Sequence, residues 1–251
     1  MLVMGILNVT PDSFADGGKH NDFEAAIARG LEMIAEGVDI IDIGGESTRP
    51  GADRVSEEEE IARTIPVIAE LAKQGTPISI DTMRSITAEA AIKAGASIVN
   101  DVSGGLADSE MLQTAARLQV PYIAMHWRGQ SKDMNSKAVY GDVVSDVISE
   151  LNERIEAALD AGIQKDKLII DPGLGFAKDA KHNWAIIDSI DQFVALGYPV
   201  LVGGSRKRFL GGDTPDEREE ATIQLTKRLG ATGVWAVRVH SVKSHKEVLS
   251  S

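Results

Sequence analysis

The chain alternates short apolar runs with longer stretches in which apolar residues recur every three or four positions. Each short run ends in a polar residue and a turn, as buried parallel strands do when their carboxyl ends face a ligand. The longer stretches have the spacing of amphipathic helices. We therefore predict eight strands alternating with helices: Val3–Val9, Val38–Ile43, Pro77–Ile80, Ser97–Val99, Tyr122–Met125, Leu168–Ile170, Pro199–Val202 and Trp235–Val239.

Local signals mark some of the helix ends. Asp22 is a candidate N-cap for the first helix, which we expect to end at Gly37. Ser56 is predicted to cap the second helix, because the glutamates of Glu57–Glu60 favour the positive end of a helix dipole. The segment Gln130–Tyr140 has no periodicity. Since about eleven residues is long for such a connection, we expect a mobile lid there.

The number of strands predicts the architecture. Open doubly wound sheets usually have fewer strands, whereas eight strand and helix units in 251 residues are typical of a (β/α)8 TIM barrel. No linker or low-complexity tract divides the chain, so we predict a single α/β domain over residues 1–251. In such a barrel all eight strands end on one face, where barrel enzymes carry their active sites.

Composition excludes several classes of function. The net charge of −12 argues against nucleic acid as a partner, although local cations such as Arg206–Arg208 and Arg238 could still bind a small anion. The chain has no cysteine, which excludes disulfides, thiolate nucleophiles and zinc-thiolate sites. No apolar run approaches the roughly 20 residues of a membrane span, and no basic segment precedes the first strand. We expect a cytoplasmic protein without a membrane or nucleic-acid partner.

The predicted strand ends carry three kinds of chemical group. Acceptors and an amide suit a flat heterocycle with an edge of N–H donors and a carbonyl, and these are Asp81, Asn100 and Asp171. Basic side chains lie at the last two strands, where barrels commonly hold phosphate, and these are Lys207, Arg238 and His240. Asn8 offers a neutral oxygen that could complete a magnesium shell made otherwise of water and phosphate.

Each of these groups alone has a simpler structural explanation. Asp171 could accept backbone N–H groups within its own glycine-rich loop. Asn100 and Asp101 could be loop caps, His240 a satisfied polar residue, and Arg206–Arg208 a solvated helix start. Eight polar strand ends that face one mouth are better explained by a shared binding site than by eight separate structural roles.

Six motifs then occur in order from the first strand to the last. They are Gly5–Phe14, Asp42–Gly51, Asn100–Gly104, Asp171–Phe176, Ser205–Lys207 and Arg238–His240. Together they resemble the motifs of the dihydropteroate synthase family. The resemblance implies a transferase that joins 6-hydroxymethyl-7,8-dihydropterin diphosphate to 4-aminobenzoate and releases pyrophosphate. It further implies a Mg²⁺ cofactor and a homodimer, and Met125–Arg128 with His182–Trp184 resembles the actinobacterial branch.

Carried over position by position, the resemblance implies a role for many strand-end residues. It implies that the pterin is bound by Asp81, Asn100, Asp171 and Lys207. It implies that pyrophosphate is bound by Asn8, Arg49, Arg238 and His240, with Asn8 also binding the metal. It implies that aminobenzoate is bound by Thr48, Pro50, Phe176, Ser205 and Lys207. Asp12 and Ser13 correspond to residues that order over bound substrates, and the implied catalytic set is Asp12, Ser13, Asp81, Asp171 and Lys207.

The mechanism that the resemblance implies is dissociative. The C–O bond of the pterin diphosphate breaks first, and the arylamine then attacks a pterin-methyl cation. Two anionic acceptors beside an electron-rich heterocycle would stabilise that cation, while a metal with an arginine and a histidine would stabilise the leaving group.

The chain departs from the family pattern at a few places. Ser241 stands where members usually carry Asp, so we expect no carboxylate near the phosphate end. The link Leu210–Ala221 is short, and we expect no extension before the first strand. Two other functions stay open: a pterin-binding paralogue with little turnover, and a barrel that transfers a methyl group between a folate and a corrinoid protein.

Overall fold

The structure, a computed structural model, describes residues 1–10, 18–46, 54–130 and 134–250. Eight parallel strands in these ranges form one sheet. The strands are β1 Leu2–Asn8, β2 Ile40–Gly44, β3 Ile78–Asp81, β4 Ile98–Asp101, β5 Tyr122–Met125, β6 Leu168–Asp171, β7 Leu201–Val202 and β8 Ala236–Val239.

The sheet closes on itself. Neighbouring strands run in the order β6-β5-β4-β3-β2-β1-β8-β7, and a parallel bridge between Ile170 and Val200 joins the two ends. The Ile170 N–H donates to the Pro199 carbonyl at 3.0 Å across that seam. The fold is therefore the predicted (β/α)8 barrel.

Helices surround the barrel and connect its strands. Those in the described ranges are α1 Gly18–Ala35, α2 Glu57–Leu71, α3 Ser85–Ala94, α4 Met111–Leu118, α5 Val143–Asp160, α6 Ala180–Asp188, α7 Ile190–Val194, α8 Glu219–Leu229 and α9 Val242–Ser250. None of the helices in this part of the chain is long and apolar enough to cross a membrane.

The barrel interior is filled by an apolar layer from seven strands. Its members are Met4, Ile40, Ile98, Ile123, Ile169, Leu201 and Ala236. Because side chains on a strand alternate between faces, the residue two positions further along each strand also points inward. On five of these strands that residue is Asp42, Asn100, Met125, Asp171 or Arg238. The apolar layer thus forms a floor, and a mostly polar layer lies above it at the mouth.

The outward faces of the strands pack under the helices. This second core includes Ile41 and Ile80 of the sheet together with Leu71, Phe193 and Leu225 of the helices, all of them buried. Burying one such side chain contributes about 1.5–3 kcal/mol. The helical shell therefore holds the strands, and with them the mouth residues, in a fixed register.

The helix-end predictions have mixed outcomes. Ser56 does cap α2, since its Oγ accepts from the Glu59 N–H at 3.2 Å. The prediction that Asp22 caps the first helix is wrong, because α1 already begins at Gly18. The first turn of α1 consists of Gly18, Lys19, His20 and Asn21. A turn without apolar residues carries no periodic signal, which is why the sequence placed the start too late.

The predicted lid lies partly outside the described residues, since 131–133 are not among them. In the part that is described, Met134 is buried and the Tyr140 hydroxyl donates to the Ala177 carbonyl at 2.9 Å. Arg128 donates to the Val139 carbonyl at 2.6 Å. These contacts tie the segment's ends to the mouth, while its mobility stays a prediction.

Candidate active site

The mouth of the barrel is built around one buried arginine. Arg238 on β8 donates from Nε to Asp42 Oδ2 at 2.6 Å and from Nη2 to Asp81 Oδ2 at 2.7 Å. Asp42 also accepts from Asn100 Nδ2 at 3.2 Å. Strand register explains the meeting, because Asp81 pairs with both Asn100 and Gly44 across the sheet. Three strands and one cation thus form a single hydrogen-bonded cluster.

The charges in this cluster are strongly perturbed. Burial raises the pKa of Asp81 to about 7, because the desolvation of its carboxylate outweighs the Arg238 charge and the Asp42 charge adds to the rise. Burial alone would lower the pKa of Arg238, but the Asp42 and Asp81 carboxylates outweigh it and raise that pKa. Arg238 therefore stays charged, and Asp81 is a carboxylate that can hold a proton near neutral pH.

Asp171, at the end of β6, faces the same mouth. Its Oδ1 accepts from the Gly173 N–H at 2.7 Å, so the loop role that the sequence allowed is present. Its Oδ2 lies beside Gly203, where an added Cβ would stand 3.7 Å away. Burial raises the pKa of Asp171, and the Gly173 N–H and the charges of Lys207 and Arg238 oppose that rise. One carboxylate therefore both shapes its loop and presents an acceptor to the mouth.

Lys207 lies in the loop after β7 and faces the loop after β6. Its Nζ donates to the Leu174 carbonyl and lies 4.6 Å from the centre of the Phe176 ring. Burial lowers the pKa of Lys207 to about 8, with Asp171 acting in the opposite direction. Phe176 is half-buried in the same loop, where its N–H donates to the Gly173 carbonyl at 3.1 Å. This corner combines a donor with an aromatic face.

Ser205 and His240 bring together the ends of the last two strands. Ser205 Oγ lies 3.0 Å from His240 Nδ1 and accepts from the His240 N–H at 3.3 Å. Arg29 of α1 donates to the His240 carbonyl at 3.0 Å, which fixes the loop from the other side. Asn8 ends β1 and is half-buried, and its partner across the sheet is Gly44.

Five of the sequence-predicted site residues lie outside the described ranges: Asp12, Ser13, Thr48, Arg49 and Pro50. The others lie at the mouth: Asn8, Asp81, Asn100, Asp171, Phe176, Ser205, Lys207, Arg238 and His240. Their strand ends follow the barrel order, so all of them face one opening. Within the described part of the chain, no group of three or more acidic or histidine side chains is placed to hold a metal ion.

Sequence reasoning missed Asp42 as a site residue. It was named only as the first letter of a motif, yet it is fully buried and holds both Arg238 and Asn100. The sequence did contain a signal for Asp42. Ile40 belongs to the apolar floor, and Asp42 lies two positions further along β2, so it points inward at the level of the polar layer.

A second missed cluster lies behind the β6 loop. Lys178 is buried, and its Nζ donates to His126 Nδ1 at 2.8 Å and to the carbonyls of Gly173 and Phe176 at 3.1 and 3.0 Å. His126 Nε2 lies 2.9 Å from Glu150 Oε2. Burial lowers the pKa of His126 to about 4, and the Lys178 charge adds to this. The cluster braces the loop that carries Asp171 and Phe176.

One expectation about the phosphate end is wrong. Ser241 was expected to leave that end without a carboxylate, but its hydroxyl donates to Glu219 at the start of α8. The short link before α8 is held in place by hydrogen bonds. Arg218 is buried and donates to the carbonyls of Gly212 and Asp213 at 2.8 and 2.9 Å. The sequence could not predict the contact between Ser241 and Glu219, because it depends on how the link before α8 folds.

The arrangement can bind a flat, polar heterocycle and a neighbouring anion. Asp42, Asp81 and Asp171 are buried carboxylates at one end, and such groups are stable only with hydrogen-bond or ionic partners. Lys207 and His240 lie toward the last two strands, where an anion would be favoured. Two sites of opposite character therefore share one mouth.

Comparison with known proteins gives a consistent result. Residues 4–240 match the family described as pterin binding enzyme. The chain is 46% identical to the dihydropteroate synthase of Mycobacterium leprae over 257 residues, covering 98% of this chain and 90% of that protein. It is 48% identical to that of Bacillus subtilis over 246 residues, covering 96% and 84%. These two identities are too close to favour either branch, so the resemblance to the actinobacterial branch stays a prediction.

Solved structures agree with the sequence relatives. The Xanthomonas albilineans dihydropteroate synthase with 4-aminobenzoic acid has a TM-score of 0.94 and 44% identity, covering 99% of this chain and 90% of that one. The same enzyme in complex with 7,8-dihydropteroate has a TM-score of 0.90 and 40% identity, covering 99% and 91%. The Yersinia pestis dihydropteroate synthase with a sulfonamide drug complex has a TM-score of 0.93 and 38% identity, covering 99% and 92%.

Proposed function

The chain belongs to the pterin-binding enzyme family, and from this premise we propose that it acts as a dihydropteroate synthase. It is a transferase that condenses (7,8-dihydropterin-6-yl)methyl diphosphate with 4-aminobenzoate to 7,8-dihydropteroate and pyrophosphate, a step in folate synthesis. The observation that carries this proposal is the Asp42–Arg238–Asp81 cluster with Asn100 beside it, in a barrel whose relatives bind 4-aminobenzoate and dihydropteroate.

We assign the pterin to the polar layer above the apolar floor. Asp81 and Asp171 would accept N–H groups of the heterocycle, and Asn100 can both donate and accept. Lys207 would donate to a ring carbonyl. The bond that Asp42 accepts from Asn100 orients that amide before substrate arrives, and preorganisation of this kind reduces the cost of binding.

The same carboxylates suit a dissociative reaction. Cleavage of the C–O bond leaves positive charge on the pterin methylene, and anions held in a water-poor site stabilise developing charge by a few kcal/mol each. Asp171 is fixed by its Gly173 bond and Asp81 by its Arg238 pair, so neither has to reorganise when the charge appears. The arylamine would then attack that carbon from the Phe176 and Ser205 side of the mouth.

The diphosphate would lie toward β8 and β1. Among the described residues, Arg238 uses Nε and Nη2 for Asp42 and Asp81, so Nη1 remains for an anion. His240 stands beside Ser205 at the end of the same strand pair. The charge of Arg238 and a hydrogen bond from His240 would stabilise pyrophosphate as it departs.

We also propose that Mg²⁺ assists this reaction. Magnesium prefers oxygen ligands and is usually held by one or two protein groups together with substrate phosphates and water. Asn8 offers one such oxygen at the end of β1, and a metal held there would take its remaining ligands from the diphosphate and water. Bound there, the metal would offset charge on the leaving pyrophosphate.

Growth of a synthase-deficient cell in medium without folate products tests the function. Expression of this chain should restore growth, and a variant lacking Arg238 should not. Failure to restore growth, with pterin binding intact in the purified protein, would favour the paralogue with little turnover.

A homodimer and a cytoplasmic location are further proposals, supported by the family resemblance. Light scattering on the purified chain should give twice the monomer mass of 26.8 kDa. Fractionation of the source cell should recover the protein in the cytosol. A monomer at micromolar concentration, or recovery with membranes, would refute the respective proposal.

A further inference from the structure

Glu219, the first residue of α8, connects two loops of the mouth. Its Oε2 accepts from Arg206 Nε at 2.7 Å. Its Oε1 accepts from the Ser241 hydroxyl. Arg206 belongs to the loop after β7, and Ser241 to the loop after β8. One carboxylate therefore joins the two loops that carry the sequence-predicted cations.

The backbone of Arg206 needs support. Its φ is 57°, in the left-handed region that residues other than glycine seldom adopt. The first turn of α8 supplies the support: Thr222 Oγ1 accepts from the Arg206 N–H at 3.1 Å, and Arg218 Nη1 donates to the Arg206 carbonyl at 3.3 Å. With Glu219 on the guanidinium, one helix turn fixes both the backbone and the side chain of Arg206.

The two neighbours of Arg206 face the proposed substrates. Ser205 lies 3.0 Å from His240, and Lys207 reaches the Leu174 carbonyl on the opposite loop. A change in the Arg206 backbone would displace both neighbours, because a peptide chain cannot absorb a large φ change at one residue without moving those beside it. Glu219 thus holds the residue that lies between these two groups.

Charge at Glu219 is favoured. Burial alone would raise the pKa of Glu219, but the hydrogen bonds from Ser241 and Arg206 and the charge of Arg206 outweigh it and hold that pKa below its ordinary value. His245 is buried behind it, with Nδ1 2.8 Å from Thr226 Oγ1 and Nε2 3.5 Å from Glu219 Oε1. The charged carboxylate can therefore accept from both Arg206 and Ser241.

We propose that Glu219 is a positioning residue that locks the Ser205–Lys207 turn to the His240–Ser241 turn, so that the aminobenzoate and diphosphate pockets are ordered together. This inference rests on the proposed synthase function. It gives the start of α8 a role in the site, although Glu219 lies outside the six sequence motifs.

Glu219→Gln tests the proposal. Glutamine has the same size but lacks the charge, and it offers one acceptor oxygen where the carboxylate offers two. Glu220→Gln is the matched control: Glu220 is exposed on the same helix turn and accepts from Gln224 Nε2 at 2.7 Å. We expect kcat/KM for 4-aminobenzoate to fall by about tenfold in Glu219→Gln and by less than about twofold in the control.

Hydrogen exchange measures the same effect without turnover. Amides of residues 204–211 and 239–243 should exchange faster in Glu219→Gln than in wild type, and at the wild-type rate in Glu220→Gln. Should Glu219→Gln fail to fold, Ser241→Ala removes one of the two bonds and should give a smaller change in the same peptides. Unchanged exchange, or unchanged kcat/KM in an active enzyme, overturns the proposal.

Arg206→Gly provides the internal check. Glycine adopts a positive φ without steric cost, and it lacks the guanidinium that Glu219 binds, so only the Ser241 bond of Glu219 remains in that background. Glu219→Gln should then lower kcat/KM much less than tenfold, and a full further tenfold loss would overturn the link through Arg206. If the wild type forms no dihydropteroate, the proposed function fails, whereas the exchange result still decides the role of Glu219.

Discussion

Replacement of Asp171 separates its hydrogen bond with Gly173 from its proposed contact with the pterin. Its Oδ1 holds the Gly173 N–H at 2.7 Å, and its charge is buried at a cost that raises the pKa of the group. Asparagine keeps a carbonyl oxygen for Gly173 and removes the costly charge, so Asp171→Asn should fold well. It also replaces an anion that would accept from the pterin by an amide that can present N–H donors. Alanine removes the loop bond as well.

The expected magnitudes follow from these contacts. A wrongly paired buried polar group costs about 1–3 kcal/mol, so pterin affinity and kcat/KM should fall by about tenfold or more in Asp171→Asn. Its melting temperature should change by less than about 3 °C, since 1 kcal/mol corresponds to about 2–4 °C for a chain of this size. Asp171→Ala should lose a further 1 kcal/mol or so of unfolding free energy, because the Gly173 N–H is left unpaired.

Calorimetry with a pterin ligand and thermal unfolding of both variants are the assays. Unchanged pterin affinity in Asp171→Asn, with a loss of stability only in Asp171→Ala, would refute the reasoning. Asp171 would then be an acceptor for its loop and nothing more.

Further predictions concern other parts of the mouth. Asp42→Asn should lower kcat/KM by about tenfold and the unfolding free energy by about 2 kcal/mol, since buried Arg238 loses one of its two carboxylates; wild-type values in both assays would contradict this. His126 has its pKa lowered from 6.5 to about 4, so its contribution to stability is present above pH 6.5 and is lost as the pH falls toward 4, by about 1–2 kcal/mol between pH 6.5 and 5. Urea unfolding at these two pH values should show that loss in wild type and not in His126→Gln, and equal pH slopes would refute it. 4-Aminobenzoate should bind more tightly when pyrophosphate and Mg²⁺ are present, because Ser205 and His240 lie 3.0 Å apart and one site orders the other; equal affinities by calorimetry would show that its pocket is preformed.

The barrel could be predicted because its signals are local. Each strand is an apolar run that ends in a polar residue, and eight such runs in one chain leave few architectures. Helices α4 and α9 were not predicted, because α4 spans only Met111–Leu118 and α9 has polar residues at most positions. Helices as short as these depend on tertiary packing for their stability, so a short periodic stretch does not by itself predict one.

The site was predictable as a set of strand ends but not as a network. Period-two alternation places Asp81, Asn100 and Asp171 at the mouth, and it would have added Asp42 if the layers had been compared strand by strand. Glu219 illustrates the limit. It lies 22 residues before Ser241 and 13 after Arg206, and only the fold of the intervening link brings the three together.

Product formation by the purified chain tests the central claim most directly. With pterin diphosphate, 4-aminobenzoate and Mg²⁺, wild type should release pyrophosphate and form 7,8-dihydropteroate in equal amounts, and Asp171→Asn should do so at least about tenfold more slowly at low substrate concentration. Absence of dihydropteroate from the wild-type reaction at every magnesium concentration, with the protein folded, would contradict the account.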